Sequence, residues 1–176
     1  MQAFRMRECP FFPGFDIRFA EKGGLRDLVE VLMEMTWAIV DLVGRIFFGL
    51  CFLVMGFGHL RNRAAMTGYA QSKKVPAAGP VVIITGIMLI VGALSLILGI
   101  LPVVGALLII IFLAPTTFVM HAFWRETDPE ARMNESIMFF KDLALLGAAL
   151  MVLAMVAWGA SDPDGYALQI WNISLL

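Results

Sequence analysis

The sequence predicts an all-α integral membrane protein, in which a short N-terminal amphipathic helix precedes a four-helix up-down bundle. Hydrophobic residues make up 60% of the 176 residues and charged residues 15%, whereas soluble domains average about 45–50% and about 25%. The mean hydropathy is +0.86. The net charge of −1 and the two cysteines exclude a basic nucleic-acid-binding protein and a disulfide scaffold.

Four apolar runs are long enough to cross a bilayer. They cover residues 36–60, 81–99, 101–124 and 137–158. About 20 helical residues cross a hydrocarbon core of about 30 Å, and a segment in lipid must satisfy its own backbone hydrogen bonds, so we expect helices. The lipid bilayer is therefore the first partner that the sequence predicts.

Residues 1–35 form an N-terminal extension, and apolar residues recur at helical spacing near its end: Leu25, Leu28, Val29, Leu32 and Met33. This spacing predicts a short amphipathic helix at the membrane interface, or a helix that continues directly into the first span. Residues 36–158 form the bundle, and residues 159–176 form a C-terminal tail whose apolar residues suit packing on a neighbouring subunit.

An even number of spans places both termini on one side and the two charged loops on the other. Gly99 and Pro102 indicate a tight turn between the second and third spans. Slightly more basic residues lie in the loops than near the termini, which favours cytoplasmic loops.

Ionisable residues inside the spans are candidates for function, because a charge costs about 2.5–3.5 kcal/mol at the centre of a membrane helix. Asp41 and Arg45 have the i, i+4 spacing of a helical ion pair. One interpretation is a paired anchor near the interface. The other is that Arg45 faces the bundle and holds an anionic or carbonyl ligand.

Four further polar residues fall at the loop side: His59, His121, Lys141 and Asp142. Together with Arg45 they are the candidate ligand-binding residues. Their alternative role is structural, as hydrogen-bonded helix ends. We find no catalytic constellation, phosphate-binding loop or metal-ligand set in the sequence.

The sequence brings no cofactor of its own. Axial ligation of a haem by His59 and His121 is a less favoured interpretation, and other metals lack a third ligand. A quinone ring bound near His121 and Trp124 is the alternative to a simple aromatic belt at the helix end.

Several motifs, in order along the chain, resemble the DoxX family of small four-helix bacterial and archaeal membrane proteins. They are Gly44-Arg45, Gly49, Gly56, His59-Leu60, Tyr69, Lys74-Val75-Pro76, Gly86, Gly92, the run from His121 to Trp124, and the run from Phe140 to Gly147. The resemblance covers about residues 40–157. His59 and Asp142 depart from it, because the family commonly has lysine and asparagine at these positions.

The resemblance implies a multi-pass protein of the cell inner (plasma) membrane with a redox setting. Two hypotheses follow. The first is an accessory membrane subunit of a larger redox or electron-transfer complex, with other membrane subunits as partners. The second is a quinone-linked oxidoreductase subunit with a pocket near Arg45, His121 and Lys141. A transporter is the less favoured third, since no inverted repeat is evident.

Overall fold

The computed structural model describes residues 24–161, and every element in this part of the chain is helical. There are five α-helices: α1 (Leu25–Arg61), α2 (Arg63–Ser72), α3 (Ala78–Leu98), α4 (Pro102–Val119) and α5 (Pro129–Ser161), with a short 3₁₀ turn at Phe123–Arg125. Helices α1, α3, α4 and α5 are long and apolar enough to cross a membrane. This confirms the predicted fold class. The expectations for residues 1–23 and for the tail from 162 onwards lie outside the described residues.

The first helix differs from one of the two sequence-based expectations. Its 37 residues continue from Leu25 to Arg61 without a break, so the amphipathic segment and the first span are one helix. The sequence carries no Gly or Pro between positions 25 and 43, and nothing local ends the helix there. Of the two alternatives, the structure has the one in which the segment continues directly into the span.

Helices pack in chain order, α1 on α3, α3 on α4 and α4 on α5, with α2 against the start of α3. The core lies in the middle of the bundle, where Phe52, Leu89, Ile109 and Leu113 are fully buried. Ala149 of α5 completes it. The outer faces carry exposed large apolar side chains, as expected for helices in lipid.

Close contact between α3 and α4 depends on small residues. A Cβ atom on Gly105 would lie 2.6 Å from the Ser95 hydroxyl oxygen and 3.0 Å from the Gly92 carbonyl oxygen. Glycine therefore lets the two backbones approach to a distance that no side chain would allow.

The turn between α3 and α4 is entirely apolar in its side chains but satisfies its backbone internally. Gly99 ends α3 in the left-handed conformation, with φ +70°, and the Ile100 amide donates to the Ser95 carbonyl oxygen at 3.1 Å. The Ser95 hydroxyl lies 2.5 Å from the Ile100 carbonyl oxygen and 2.9 Å from that of Leu101. The turn is thus suited to an apolar environment.

The N-terminal half of α1 extends beyond this turn. Gly49 packs against Ala93 and Ile97 near the end of α3, and the place where a Gly99 Cβ would lie is 3.0 Å from Arg45 Nη1. Residues 25–44 of α1, which we call the projecting segment, therefore continue for about 30 Å past the α3–α4 turn. Trp37, within this segment, is one of its exposed apolar residues.

Candidate functional site

Polar side chains from three parts of the chain meet at the loop end of the bundle. We call Tyr69, Lys73, His121, Glu126, Glu135 and Asp142 the loop-end cluster. Tyr69 lies in the last turn of α2, and Lys73 is the residue that ends this helix. Glu135 and Asp142 lie on α5. His121 and Glu126 lie in the connection between α4 and α5.

A side-chain cap sets where α5 begins, and thereby where Glu135 lies on it. The Asp128 carboxylate accepts a hydrogen bond from the Ala131 amide at 2.8 Å, and Pro129 occupies the first helical position. An Asp at the N-cap followed by Pro is a strong helix start. It sets where Glu135 falls, close to the end of α2.

Glu135 is the centre of the cluster. Its Oε1 accepts hydrogen bonds from Lys73 Nζ at 2.7 Å and from the Tyr69 hydroxyl at 3.1 Å. Its Oε2 lies 2.8 Å from His121 Nδ1. Lys73 also donates to Glu126 Oε1 at 2.7 Å, so one lysine bridges α5 to the preceding connection.

These contacts change how Tyr69 and Lys73 titrate. Burial and the neighbouring Glu135 carboxylate raise the pKa of Tyr69 to about 12. Burial alone would lower the pKa of Lys73, but its hydrogen bonds to Glu126 and Glu135 outweigh burial, so the pKa lies above the ordinary 10.5. Both groups therefore stay protonated at neutral pH.

His121 connects Glu135 to a buried carboxylate. Its Nε2 lies 3.5 Å from Asp142 Oδ2, and Asp142 is only 3% exposed. Glu135 and Asp142 are seven residues apart on α5, two helical turns, so the imidazole ring lies between them. The arrangement forms a continuous polar path from the partly exposed Glu126 to the bundle interior.

An aromatic cluster packs beside this path. The rings of Phe123 and Trp124 contact Phe139 with centroids 5.4 Å and 5.6 Å away, and contact each other at 5.2 Å. All three contacts are edge-to-face, the favoured geometry for aromatic pairs. The quinone ring that the sequence suggests near His121 and Trp124 stays a prediction.

His59 has different partners from His121. Its Nδ1 lies 3.1 Å from the Thr85 hydroxyl oxygen, and its ring meets that of Phe112 edge-on at 5.7 Å. The described contacts thus direct the two imidazoles to separate partners. They do not form the facing pair that axial haem ligation would require.

Arg45 lies at the opposite end of the bundle. Its Nε is 2.9 Å from Asp41 Oδ2, which is the i, i+4 ion pair that the spacing predicts. Both residues line an open cavity of about 220 Å³, whose other walls are Gly44, Phe48, Leu96, Val152 and Met155. Arg45 therefore faces a gap between α1 and α5.

The five candidate ligand-binding residues do not form one site. His121 and Asp142 lie close together, whereas His59 has other partners. Arg45 lies near the start of α4 and His121 just after its end, and the 18 residues of α4 separate these two levels by about 27 Å. Lys141 is exposed, and its Nζ contacts Met138 Sδ at 3.1 Å. A single pocket at Arg45, His121 and Lys141 does not follow from this geometry.

The comparison with protein families now bears on this arrangement. The DoxX family model matches residues 40–122. This part of the chain is similar to the DoxX family. The predicted resemblance is thereby confirmed over α1 from position 40, α2, α3 and α4. No curated protein and no solved structure matches the chain.

The DoxX match divides the loop-end cluster. Tyr69, Lys73 and His121 lie within the matched residues, whereas Glu135 and Asp142 follow position 122. The matched part thus supplies the imidazole, the lysine and the phenol, and α5 supplies the two carboxylates on either side of the imidazole.

Sequence reasoning missed Glu126 and Glu135 and did not select Lys73 or Tyr69 as site residues. Each lies in or next to a charged loop, where single charges are ordinary. The available signal was the i, i+7 spacing of Glu135 and Asp142, which places both on one face of α5. Its opposing imidazole becomes apparent only once α4 and α5 are packed.

Proposed function

We propose that this protein is an accessory subunit of a larger membrane complex, and that the projecting segment of α1 binds a transmembrane helix of the partner. The redox setting of that complex is what the family resemblance implies. The single observation that supports the proposal is the exposed apolar surface of residues 25–44, which extends past the α3–α4 turn.

The chemistry of the projecting segment suits an apolar partner such as a transmembrane helix. Leu32, Trp37, Ile39 and Val40 are all exposed, on several faces of the helix. An isolated amphipathic helix on a membrane surface has only one apolar face. A helix with apolar residues on most faces is instead typical of one that is surrounded by other helices or lipid.

The adjacent α3–α4 turn enlarges this surface. Leu98, Ile100 and Leu101 are exposed, and the carbonyl groups of Ile100 and Leu101 need no water because the Ser95 hydroxyl contacts both. A partner helix that packs along residues 37–44 would cover the turn as well. We therefore expect the contact to extend from the projecting segment to position 101.

Cross-linking at a defined position tests the partner. A photoreactive residue replaces Trp37, which is 65% exposed, or the control Ile111, which is 57% exposed on α4. We expect position 37 in native membranes to give one adduct with an integral membrane protein of a redox complex, and position 111 to give lipid adducts. An intramolecular adduct with residues 162–176, or lipid alone at both positions, would refute the proposal.

A matched pair of substitutions tests the energetics. Val40 and Ile84 are 55% and 56% exposed, so Val40→Gln and Ile84→Gln introduce the same polar group on the projecting segment and on the body of the bundle. We expect Val40→Gln to shift the protein from the complex to free subunit in mild detergent, and Ile84→Gln to leave the complex intact. Equal behaviour of the two variants contradicts the proposed surface.

A second candidate function, quinone-linked oxidoreductase subunit, is supported by the cavity at Arg45. A cavity of about 150 Å³ holds one benzene ring, so about 220 Å³ accommodates a substituted ring. Arg45 would donate to a carbonyl oxygen of the ring, and Phe48 and Leu96 would pack on its apolar face. The isoprenoid chain would leave through the open side between α1 and α5.

Binding of a short-chain ubiquinone, followed by quenching of tryptophan fluorescence, tests this second candidate. The double variant Asp41→Asn/Arg45→Met removes both charges of this ion pair together. Loss of one charge-assisted hydrogen bond predicts affinity weaker by about tenfold or more. Lys141→Met, at the other end of the molecule, is the control. Unchanged affinity in the double variant eliminates the Arg45 site.

A further inference from the structure

The loop-end cluster has a proton count that its geometry dictates. His121 Nδ1 lies 2.8 Å from a Glu135 oxygen, and Nε2 lies 3.5 Å from an Asp142 oxygen. A neutral imidazole carries only one N–H, and an ionised carboxylate only accepts. With both carboxylates ionised and the imidazole neutral, two lone pairs would face each other at one of these contacts.

Burial makes that arrangement costly. Asp142 is 3% exposed, and the side chains of His121 and Glu135 are 16% and 15% exposed. Water therefore has little access to the contact, and repulsion between two lone pairs is poorly screened. One additional proton removes the repulsion, either as a second N–H on His121 or as an O–H on one of the two carboxylates.

We propose that Glu135, His121 and Asp142 form a proton-binding site that holds one proton in the folded protein and thereby fastens the end of α4 to α5. The proton is shared by the triad and belongs to neither contact alone. This site lies at the opposite end of the bundle from the projecting segment. It is therefore independent of the proposed docking function.

The charged groups around the triad favour retention of that proton. Glu126 adds a third carboxylate, and Lys73, the residue that ends α2, is one cation that bridges two of the three. Tyr69 is a neutral donor to Glu135. Lys141 is the other cation next to Asp142, and its ammonium group contacts Met138 at the exposed face. On α1, His59 contacts Thr85 instead.

Loss of the proton would weaken the loop end. The triad would carry two negative charges on either side of a neutral ring, and the Nε2–Asp142 contact would become repulsive. The end of α4 would then separate from α5, while Lys73 would still hold Glu135 to α2. The site thus couples proton concentration on the loop side to the packing of α4 against α5.

Nitrogen NMR of the imidazoles and carbon NMR of the carboxyl groups test the proton directly in the full-length protein in lipid bilayers. The sequence has only two histidines. His59→Gln assigns the His121 signals. At neutral pH we expect either an imidazolium at His121, or a neutral ring together with the carboxyl carbon signal of a protonated Asp142 or Glu135. A neutral ring together with two ionised carboxylates would overturn the proposal.

Asp142→Asn separates the triad from a simple His121–Glu135 pair. The asparagine amide can donate to Nε2, so the extra proton is no longer needed and His121 becomes neutral at the same pH. His59→Gln, which leaves the triad intact, retains the proton on the triad. An imidazolium that persists in Asp142→Asn contradicts the proposal.

Discussion

At the scale of single residues, Lys73 holds the loop-end cluster together, because one ammonium group contacts two carboxylates. Its removal in Lys73→Met leaves Glu126 and Glu135 close to each other with no cation between them. We expect the free energy of unfolding to fall by about 1–2 kcal/mol, between the values for exposed and buried ion pairs. Chemical denaturation in detergent measures it. The adjacent and exposed Lys74 is the control, and an equal loss in Lys74→Met would show that the bridge contributes nothing.

Tyr69 gives a second prediction at this scale, at alkaline pH. Its pKa lies at about 12 in the folded chain against the ordinary value of 10. A raised pKa means that folding favours the protonated phenol, so this stabilisation is complete below pH 10 and is lost as pH rises through about 12.

The tyrosinate absorbance difference between the unsubstituted protein and Tyr69→Phe isolates this residue from Tyr166, the other tyrosine. We expect the difference signal to titrate near pH 12. Titration of Tyr69 with the ordinary pKa of 10 would indicate that the contact with Glu135 does not form in solution.

At the scale of elements, the packing of α3 on α4 depends on Gly105. A methyl group at this position would lie 2.6 Å from the Ser95 oxygen, so Gly105→Ala pushes the helices apart and removes the hydroxyl from the turn carbonyls. We expect a loss of about 1–3 kcal/mol in unfolding free energy, as for other overpacked sites.

Gly147 on α5 provides the matched control for that substitution. A Cβ atom there meets nothing within 4 Å, so Gly147→Ala changes only helix propensity and raises stability by up to about 1 kcal/mol. If Gly105→Ala and Gly147→Ala change the free energy of unfolding in the same direction, close helix contact is not the reason for glycine at position 105.

The membrane-spanning helices could be predicted from the sequence more completely than the candidate site. Apolar runs set the spans because the membrane requires internally hydrogen-bonded segments, and Gly99 with Pro102 marked the turn. The continuity of α1 was one of two open alternatives, since periodicity alone does not distinguish a separate amphipathic helix from the start of a span.

The candidate site depended on packing, which the sequence does not contain. Asp41 and Arg45 were predictable as a pair because both lie on one helix. His121 and Asp142 were named from the sequence, but Glu135 was not, because its contact with His121 requires α4 and α5 to meet at one register. The sequence placed His59 and His121 at the same end of the bundle, but their contacts in the structure differ, with Thr85 for His59 and Glu135 for His121.

At the scale of the whole molecule, the lengths of the helices do not match. The 37 residues of α1 span about 55 Å, and the 21 residues of α3 about 31 Å, while the hydrocarbon core is about 30 Å thick. Since Arg45 lies beside Gly99, α1 must pass well beyond the α3–α4 turn. The apolar side chains of the turn and its Ser95-satisfied carbonyl groups suit a position within the apolar part of the bilayer.

Spin labels at single cysteines test this placement, in a background without Cys9 and the exposed Cys51. We expect a label at Leu101 to be relaxed mainly by oxygen, which is lipid-soluble, as a label at Ile111 on the lipid-facing side of α4 is. A label at Met133, near the start of α5, should respond mainly to a water-soluble nickel chelate.

If a label at Leu101 behaves like one at Met133, the α3–α4 turn lies in water. The apolar surface that the turn shares with the projecting segment is then outside the bilayer. In that case the partner that covers this surface would have to be a protein domain outside the membrane, because a transmembrane helix could not reach it.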